Sequence, residues 1–325
     1  MKIALIYNLN RGKFDYEAEF DQDITINALK KVLRKEGSIK CIEGDRNYSK
    51  WISTLVNYKP EIIFSVAEGY AGSCRESFYP SLYEQLGYKY AGPDVNNLFI
   101  FQNKYLTKKL AQMTGILVPN GYVISGLPDH SNQKNRMKYP LIVKPNFEGS
   151  SIGISSTFIV KNREELSKQL KQFFKKYNKT VIIEEFIEGI DVSMVYVEGI
   201  GALGPSVINY PEKNIYDWKL KTVDDETVSI VEGRALSITL QNKLAKIVTK
   251  LALAFDIKSY AKIDFRIDKK GDIYLLEVNG QVSFHPKGEF VVAAEMGGYS
   301  FEQVVSHILH HSIKNTQKRY GGYNF

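Results

Sequence analysis

The 325-residue sequence has only two cysteines, Cys41 and Cys74. Both stand in the first quarter, without C-x-x-C spacing and without clustered histidines. That argues against a disulfide framework and a zinc site, and two free thiols in a reducing compartment is the simpler reading. No window approaches about 18 uninterrupted apolar residues, so no membrane span is expected. The opening Met1-Lys2-Ile3-Ala4-Leu5-Ile6-Tyr7 turns polar at Asn8, too soon for a secretory leader. A cytoplasmic protein is the expectation. A Walker A loop is absent, as are internal repeats and low-complexity stretches. There is also no long run of one charge. The net charge of +7 arises from 43 Lys and Arg scattered among 36 Asp and Glu, which reads as a solvated surface rather than a nucleic-acid face. Only the tail at Lys318-Arg319-Tyr320 sets basic residues beside an aromatic.

What is present is ordinary for a globular chain: 44% hydrophobic and 24% charged residues. The length suits two or three domains, with a core that needs no disulfide or structural metal. Lys2 to Tyr7 reads as a buried parallel strand. Asp23 to Gly37 carries Ile26, Leu29, Val32 and Leu33 at helical spacing and stops at glycine. Glu61 to Val66 is a strand and Ser77 to Leu86 a helix. This alternation predicts a mainly parallel α/β domain over residues 1–102. A helix from Asn103 to Gly115, a strand ending at Pro145, a Gly/Ser loop, a lysine-rich helix (Glu164 to Lys176) and a strand (Thr180 to Phe186) form a smaller α+β unit, 103–186. Strands predominate over 187–325 (Asp191 to Val197, Lys262 to Ile267, Asp272 to Val278), with helices at Thr239 to Phe255 and Phe301 to His311.

Three segments carry candidate chemistry. In Lys144-Pro145-Asn146-Phe147-Glu148-Gly149-Ser150-Ser151-Ile152-Gly153 a strand delivers a lysine into a loop of small residues. Backbone N–H groups of such a loop can approach phosphate oxygens closely, although Gly/Ser loops are as often plain turns. Ile182-Ile183-Glu184-Glu185-Phe186-Ile187-Glu188-Gly189-Ile190-Asp191 could line an adenine pocket, with acids for the exocyclic amine and the ribose; taken by itself it reads rather as a strand end with solvated acids. The third is the most specific. Lys262, Asp264 and Arg266 share one face of a period-two strand, and Glu277 and Asn279 share a face of the returning strand. Paired antiparallel, they bring Asp264, Glu277 and Asn279 together as an all-oxygen set suited to Mg2+ and not to zinc.

Taken in order, the lysine before E-G-S-S-x-G, V-I-I-E-E-F-I-E-G, D-F-R and L-L-E-V-N resemble the ATP-grasp superfamily, and within it the D-alanine–D-alanine ligase branch, over nearly the whole chain. The resemblance implies a three-domain fold: an N-terminal α/β domain, a central lid domain and a C-terminal antiparallel-sheet domain. It implies an ATP-dependent carboxylate–amine ligase acting through an acyl phosphate on small-molecule carboxylate and amine substrates, with no nucleic-acid or membrane partner. Its cofactors would be ATP and a pair of Mg2+ ions, with Mn2+ as a substitute, and a homodimer is implied. By the same resemblance Lys104, Lys144 and Lys221 contact phosphates, and Ser150 and Ser151 lie in the loop covering them. Glu184, with the backbone of Glu185 and Ile187, meets adenine, and Asp191 meets the ribose. Asp264, Glu277 and Asn279 hold the metal, and Glu19 holds the first substrate's ammonium group.

The departures fall in the acceptor pocket. Lys262 stands where the family has the arginine that stabilises the tetrahedral intermediate; it supplies charge but no bidentate fork. The family's P-G-M-T-x-x-S stretch, which holds the second substrate's carboxylate, is replaced by Gly280-Gln281-Val282-Ser283-Phe284-His285-Pro286-Lys287-Gly288-Glu289-Phe290. The A-L-H-G-x-x-G motif reads Val66-Ala67-Glu68-Gly69-Tyr70-Ala71-Gly72. A ligase joining other amino acids or metabolites, and an ATP-binding regulatory module without catalysis, both stay open. His285, alone in its loop, reads first as structural and otherwise as an acceptor contact or base.

Overall fold

The computed structural model describes residues 1–127, 137–148, 158–177, 180–209 and 229–319. Among these residues the chain forms three sheets. The first is built from β1 (Lys2–Tyr7), α1 (Asp23–Glu36), β2 (Ser38–Glu43), α2 (Tyr48–Tyr58), β3 (Ile62–Val66), α3 (Arg75–Gln85) and β4 (Tyr90–Ala91), followed by α4 (Val95–Gln102). The strand order is β2-β1-β3-β4, all parallel. β1 and β3 are continuous apolar runs because helices cover both faces. Ile3, Leu5 and Phe64 pack against Ile26, Leu29 and Leu33 of α1, whereas Ala4, Ile6 and Ile63 pack against Trp51, Leu55, Tyr79 and Tyr83. α1 has Asp23 in its first turn and Arg34 and Lys35 in its last, charges that oppose its dipole. It ends at Gly37, where a Cβ would lie 2.1 Å from the Met1 carbonyl oxygen.

The second sheet follows α5 (Lys104–Met113) and comprises β5 (Gly121–Ile124), β6 (Leu141–Pro145), β7 (Ile159–Val160) and β8 (Val181–Glu185), with α6 (Arg163–Tyr177) before β8. Its order is β5-β8-β6-β7, antiparallel. The third sheet holds β9 (Ile190–Val197), β10 (Gly201–Asn209), β11 (Ser229–Glu232), β12 (Tyr260–Ile267) and β13 (Ile273–Asn279), with α7 (Ile238–Ala254) before β12 and α8 (Glu289–Met296) and α9 (Phe301–Arg319) after β13. Its antiparallel order is β11-β10-β9-β12-β13. Several elements go beyond the sequence reading. β2, β10, α2, α4 and α8 had no expectation attached, α3 begins at Arg75 rather than Ser77, and α9 runs past His311 to Arg319. No helix is long and apolar enough to cross a membrane among the described residues.

The largest core joins the first and third sheets. Phe64 of β3, Tyr260 of β12 and Phe290 of α8 surround Phe284, with ring centroids 5.9, 5.3 and 4.8 Å away. α1 and α9 are pinned by Glu36, which accepts from Ser306 Oγ at 2.6 Å and meets His310 Nε2 at 2.8 Å. The 280–288 loop is thus anchored in the core by Val282 and Phe284 while Ser283, Pro286 and Lys287 stay exposed; Ser283 Oγ donates to Asp21 at 2.9 Å and Gln281 Nε2 to the Ala67 carbonyl at 3.2 Å.

Phe284 is fully buried. Phe284→Ala should therefore cost about 3–5 kcal/mol, measured by urea unfolding. Burial pushes the Asp21 carboxyl up to about 7, against the lowering effect of its Ser283 hydrogen bond. Between the unfolded value near 4 and about 7 the folded state holds the extra proton, so this group lowers stability as pH rises through that window. Asp21→Asn should be more stable than the native chain at pH 8, with the difference vanishing near pH 4. A difference that grows on acidification would refute the assignment.

Candidate functional site

A cleft of about 890 Å3, counting its open mouth, lies between the second and third sheets. Its apolar walls include Pro119, Ile142, Phe186, Ile187, Val192, Ile208, Phe265 and Leu276, and its polar groups are almost all charged.

On the second sheet, β8 ends in Glu184 and Glu185, and β6 carries Lys144. The register sets Lys144 opposite Ile182 and Ile142 opposite Glu184. Glu184 is 1% exposed. It contacts the ammonium of Lys108, and Lys144 Nζ lies 3.5 Å from its other oxygen, Oε2. Burial alone would raise the Glu184 carboxyl, but Lys108 and Lys144 overcome it and hold its pKa below the ordinary value. Burial pulls Lys108 down to about 8 against the attraction of Glu184. Glu184 Oε2 lies at the cleft wall with Lys144 at ion-pair distance and no well-formed hydrogen bond, so it has room for a further donor. Sequence reasoning missed Lys108. Its signal was the helical spacing from Lys104, since Lys104, Thr107, Lys108 and Ala111 form the buried face of α5.

α5 is anchored at its start. Asn103 caps it by accepting from Leu106 N, and Asn146 accepts from Tyr105 N while donating to Asn103. This delivers the Lys104 ammonium to the Glu148 carbonyl and to 3.3 Å from Glu277 Oε2. Asp191, at the start of β9, is forked by Arg266: Nε donates to Oδ1 at 2.6 Å and Nη2 to Oδ2 at 2.5 Å. Arg266 Nη1 also donates to the Ile187 carbonyl at 3.1 Å, and its guanidinium lies 5.2 Å from the Phe186 ring centre.

In the β12–β13 hairpin, Asp264 faces Glu277 and Lys262 faces Asn279, with a register shift immediately after Asp264. Asn279 Nδ2 donates to Asp264 Oδ2 at 2.9 Å, and Ser193 Oγ of β9 donates to Asp264 Oδ1 at 2.5 Å. Burial raises the Asp264 carboxyl to about 6; Lys262 opposes that rise, and Glu289 and Glu277 add to it. Lys262 Nζ is 3.0 Å from Asp264 and contacts Glu289. Burial would lower the Lys262 ammonium, but Asp264 and Glu289 raise its pKa and keep it charged. Among the described residues no group of three His, Cys, Asp or Glu side chains is disposed to hold a metal. The hairpin set is two carboxylates and an amide, a hard-oxygen group that fits Mg2+ if phosphate oxygens and water complete the shell.

Glu19 sits apart from this cleft. Arg75 donates Nε to Glu19 Oε2 at 3.1 Å and Nη2 to Oε1 at 2.6 Å, and Nη1 donates to the Phe147 carbonyl at 2.8 Å. Both side chains are nearly buried, at 6% and 5% exposure. Glu76 and Glu68 lie in the same charged cluster; burial raises Glu76 to about 7 and Glu68 well above the ordinary carboxylate value. None of these partners was expected from sequence, because α3 was read as starting after Arg75. His285 contacts its own loop, its Nδ1 accepting from Lys287 N at 3.2 Å. Ser150, Ser151 and Lys221 lie outside the described residues.

Comparison with known proteins follows this geometry. Residues 115–310 match the family model described as D-ala D-ala ligase C-terminus. The chain is 31% identical to a D-alanine–D-alanine ligase of Aquifex aeolicus over 78% of this chain and 84% of that one. Its fold is similar to that of the ATP-complexed D-alanine–D-alanine ligase of Bacillus anthracis, with a TM-score of 0.78, 19% identity and 98% and 99% of the two chains covered. The VanG D-Ala:D-Ser ligase of Enterococcus faecalis gives 0.73, 18% identity and coverage of 96% and 99%.

The buried triad makes a sharp prediction. Glu184→Gln leaves two ammonium groups facing each other without a counter-charge, and should cost about 3–5 kcal/mol in urea unfolding. Replacing Lys108 by Met in the same chain should recover part of that loss, whereas Lys108→Met alone should be destabilising. If the double variant is no better than Glu184→Gln, the coupling is absent.

Proposed function

Because this chain belongs to the D-alanine–D-alanine ligase family, we propose that it is an ATP-dependent ligase joining a carboxylate to an amine through an acyl phosphate. The observation that carries this reading is the cleft itself: Glu184 with room for a further donor on Oε2 at one end, and Lys104 of α5 reaching an acidic hairpin at the other. A base with an exocyclic amine would complete Glu184 Oε2, with the backbone of Glu185 and Ile187 at its edge. Asp191, held in place by Arg266, would face the ribose.

Lys104 and Lys144 would then meet the phosphates, together with Lys221 and the loop of Ser150 and Ser151. Asp264, Glu277 and Asn279 would hold Mg2+, as a pair of ions replaceable by Mn2+. Bound there, the metal supplies positive charge to the phosphate oxygens. The first substrate's carboxylate oxygen attacks the γ-phosphorus, the bond to the β-bridging oxygen breaks, and ADP leaves. The lysines neutralise charge on the transferring group, the main task in phosphoryl transfer. The second substrate's amine then attacks the acyl carbon, phosphate departs, and the amine proton is lost to form an amide. Lys262, buried and charged, faces the oxyanion that develops in that step, as the family's arginine would. Glu19 acts on the first substrate through Arg75 rather than by lying open to it. A cytoplasmic homodimer completes the proposal.

The test is ADP release from Mg2+-ATP across D- and L-amino acids, alone and in pairs. Release that requires D-alanine gives the narrow D-alanine–D-alanine reading; release with another pair keeps the chemistry and moves the substrate. Glu277→Ala should lower the rate about 10²–10³-fold in either case, since it removes charge aimed at the transferring phosphoryl group. Undiminished release in that variant would sink the assignment of the hairpin.

A further inference from the structure

In the parallel sheet, the order β2-β1-β3-β4 places β2 on one side of β1 and β3 on the other. The crevice beyond the carboxyl ends of two such strands is where open α/β sheets take ligands. Glu68 stands there, two residues past β3. Asn8, just past β1 and wholly buried, fixes its backbone: Asn8 Oδ1 accepts from Glu68 N at 2.8 Å and from Gly69 N at 2.9 Å, while Nδ2 donates to the Gly44 carbonyl at 2.7 Å. Gly69, at φ +87°, turns the chain so tightly that a Cβ there would lie 2.6 Å from the Arg75 carbonyl oxygen. The turn sets Glu68 beside the start of α3.

Three polar side chains meet here with acceptor atoms left open. Among the described residues the Glu68 carboxyl, still partly exposed, has no hydrogen bond and no ion pair. Gln281 donates Nε2 to the carbonyl of Ala67, the residue before Glu68, and its buried Oε1 has no hydrogen bond. Tyr260 is 0% exposed, and its hydroxyl has none either. Burial, then Asp21 and Glu68, hold that phenol above its ordinary pKa, which places it within the field of both acids. Buried polar atoms are normally bonded. Open acceptors around one carboxyl suit a group with several donors and no acceptor, which describes a primary ammonium. Burial, then Glu76 and Glu19, raise the Glu68 carboxyl against the pull of Arg75, and a cation at that carboxyl would reverse the shift. Glu19 itself is forked by Arg75 and nearly buried. Arg75 Nη1 also lies 3.7 Å from the carboxylate of Glu148, a residue that lines the cleft and whose carbonyl meets the Lys104 ammonium. Through these contacts the crevice borders the Lys104 end of the cleft.

We infer that Glu68, flanked by Gln281 Oε1 and the Tyr260 hydroxyl, receives the ammonium group of the first substrate in place of Glu19. This rests on the ligase reading and deepens it: the carboxylate substrate is an amino acid, and Glu68 is the residue that reads its amine. Glu19 is a positioning residue that holds Arg75.

The test compares each of a panel of D- and L-amino acids with the acid that lacks its amine, such as alanine with propionate. Binding to the full chain loaded with ADP and Mg2+ is measured by titration calorimetry, and acyl phosphate by the hydroxamate formed with ATP and hydroxylamine. The tightest-binding amino acid should bind about 10-fold or more tightly than its deamino counterpart, as a hydrogen bond to a charged group would give. Glu68→Gln should remove that preference and raise KM in the hydroxamate assay by about 10-fold with kcat little changed, the signature of lost ground-state binding. Its thermal unfolding is recorded to verify folding. Glu19→Gln should weaken both ligands alike and keep the preference. Equal binding of the two acids, no binding by any amino acid, a preference that survives Glu68→Gln, or an equal loss of both ligands in that variant would overturn the inference; the last is what a merely structural Glu68 predicts. Hydroxamate scores the underlying ligase reading separately. Its absence with every acid of the panel, with and without an amine, would sink that reading whatever the calorimetry shows.

Discussion

The cleft depends on Glu184, an acid taken almost wholly out of water. An ionised carboxylate in that position is tolerated only if counter-charges meet it. Two do, from different elements: Lys108 from α5 and Lys144 from β6. Meeting them fixes the angle of α5 on the second sheet. The turn of α5 before Lys108 carries Lys104, so the same constraint sends a second ammonium toward Glu277 on the third sheet. The two sheets are thereby tied across the cleft by charge, in addition to the apolar packing of Ala111 and Ile116 against β12 and β13. Under the proposed function, a ligand with phosphates would enter by taking over those lysines.

The pattern repeats along the cleft. Arg266 meets Asp191, and Lys262 meets Asp264 and Glu289. Each cation is compensated by an acid close in space and, except within β12, from another element. Such pairs contribute little net stability, because the desolvation of both groups offsets their attraction. Their value lies in position. A guanidinium forked by a carboxylate, like Arg266, has few rotamers left, and the carboxylate it forks is held equally still.

How much of this was legible in sequence follows from the physics of each signal. β1, β3, β6, β8 and the β12–β13 hairpin announced themselves because buried strands are apolar runs and half-buried ones alternate. β2 and α2 did not, since an edge strand with only Ile42 buried and a helix with Trp51 and Leu55 as its buried residues carry a weak pattern. α8 was hidden because it is short and mostly apolar, which also hid Glu289 at its start. The hairpin acids were readable from period two alone; the register shift after Asp264 was not, because a bulge leaves no compositional trace. Lys108 and Arg75 escaped for a shared reason. A lone basic residue reads as solvated, and its burial is decided by an acid distant in sequence: 76 positions away for Glu184 and 56 for Glu19.

The departures from the family pattern are not scattered substitutions. The 280–288 loop contributes Phe284 to the core between the first and third sheets, hands Ser283 to Asp21, and ends on Glu289 in the cleft. Glu68, where the family has histidine, has its carboxyl raised by burial together with Glu76 and Glu19. Inter-sheet packing is therefore carried by the same nine-residue connection in which the sequence departs from the family pattern. A single replacement toward the family sequence in this loop would have to restore a substrate contact while leaving Asp21 or the Phe64–Tyr260 aromatic pocket without its partner. Replacing this connection thus requires several substitutions at once, and the cluster built on Glu184 and α5 lies outside it and can stay constant while that happens.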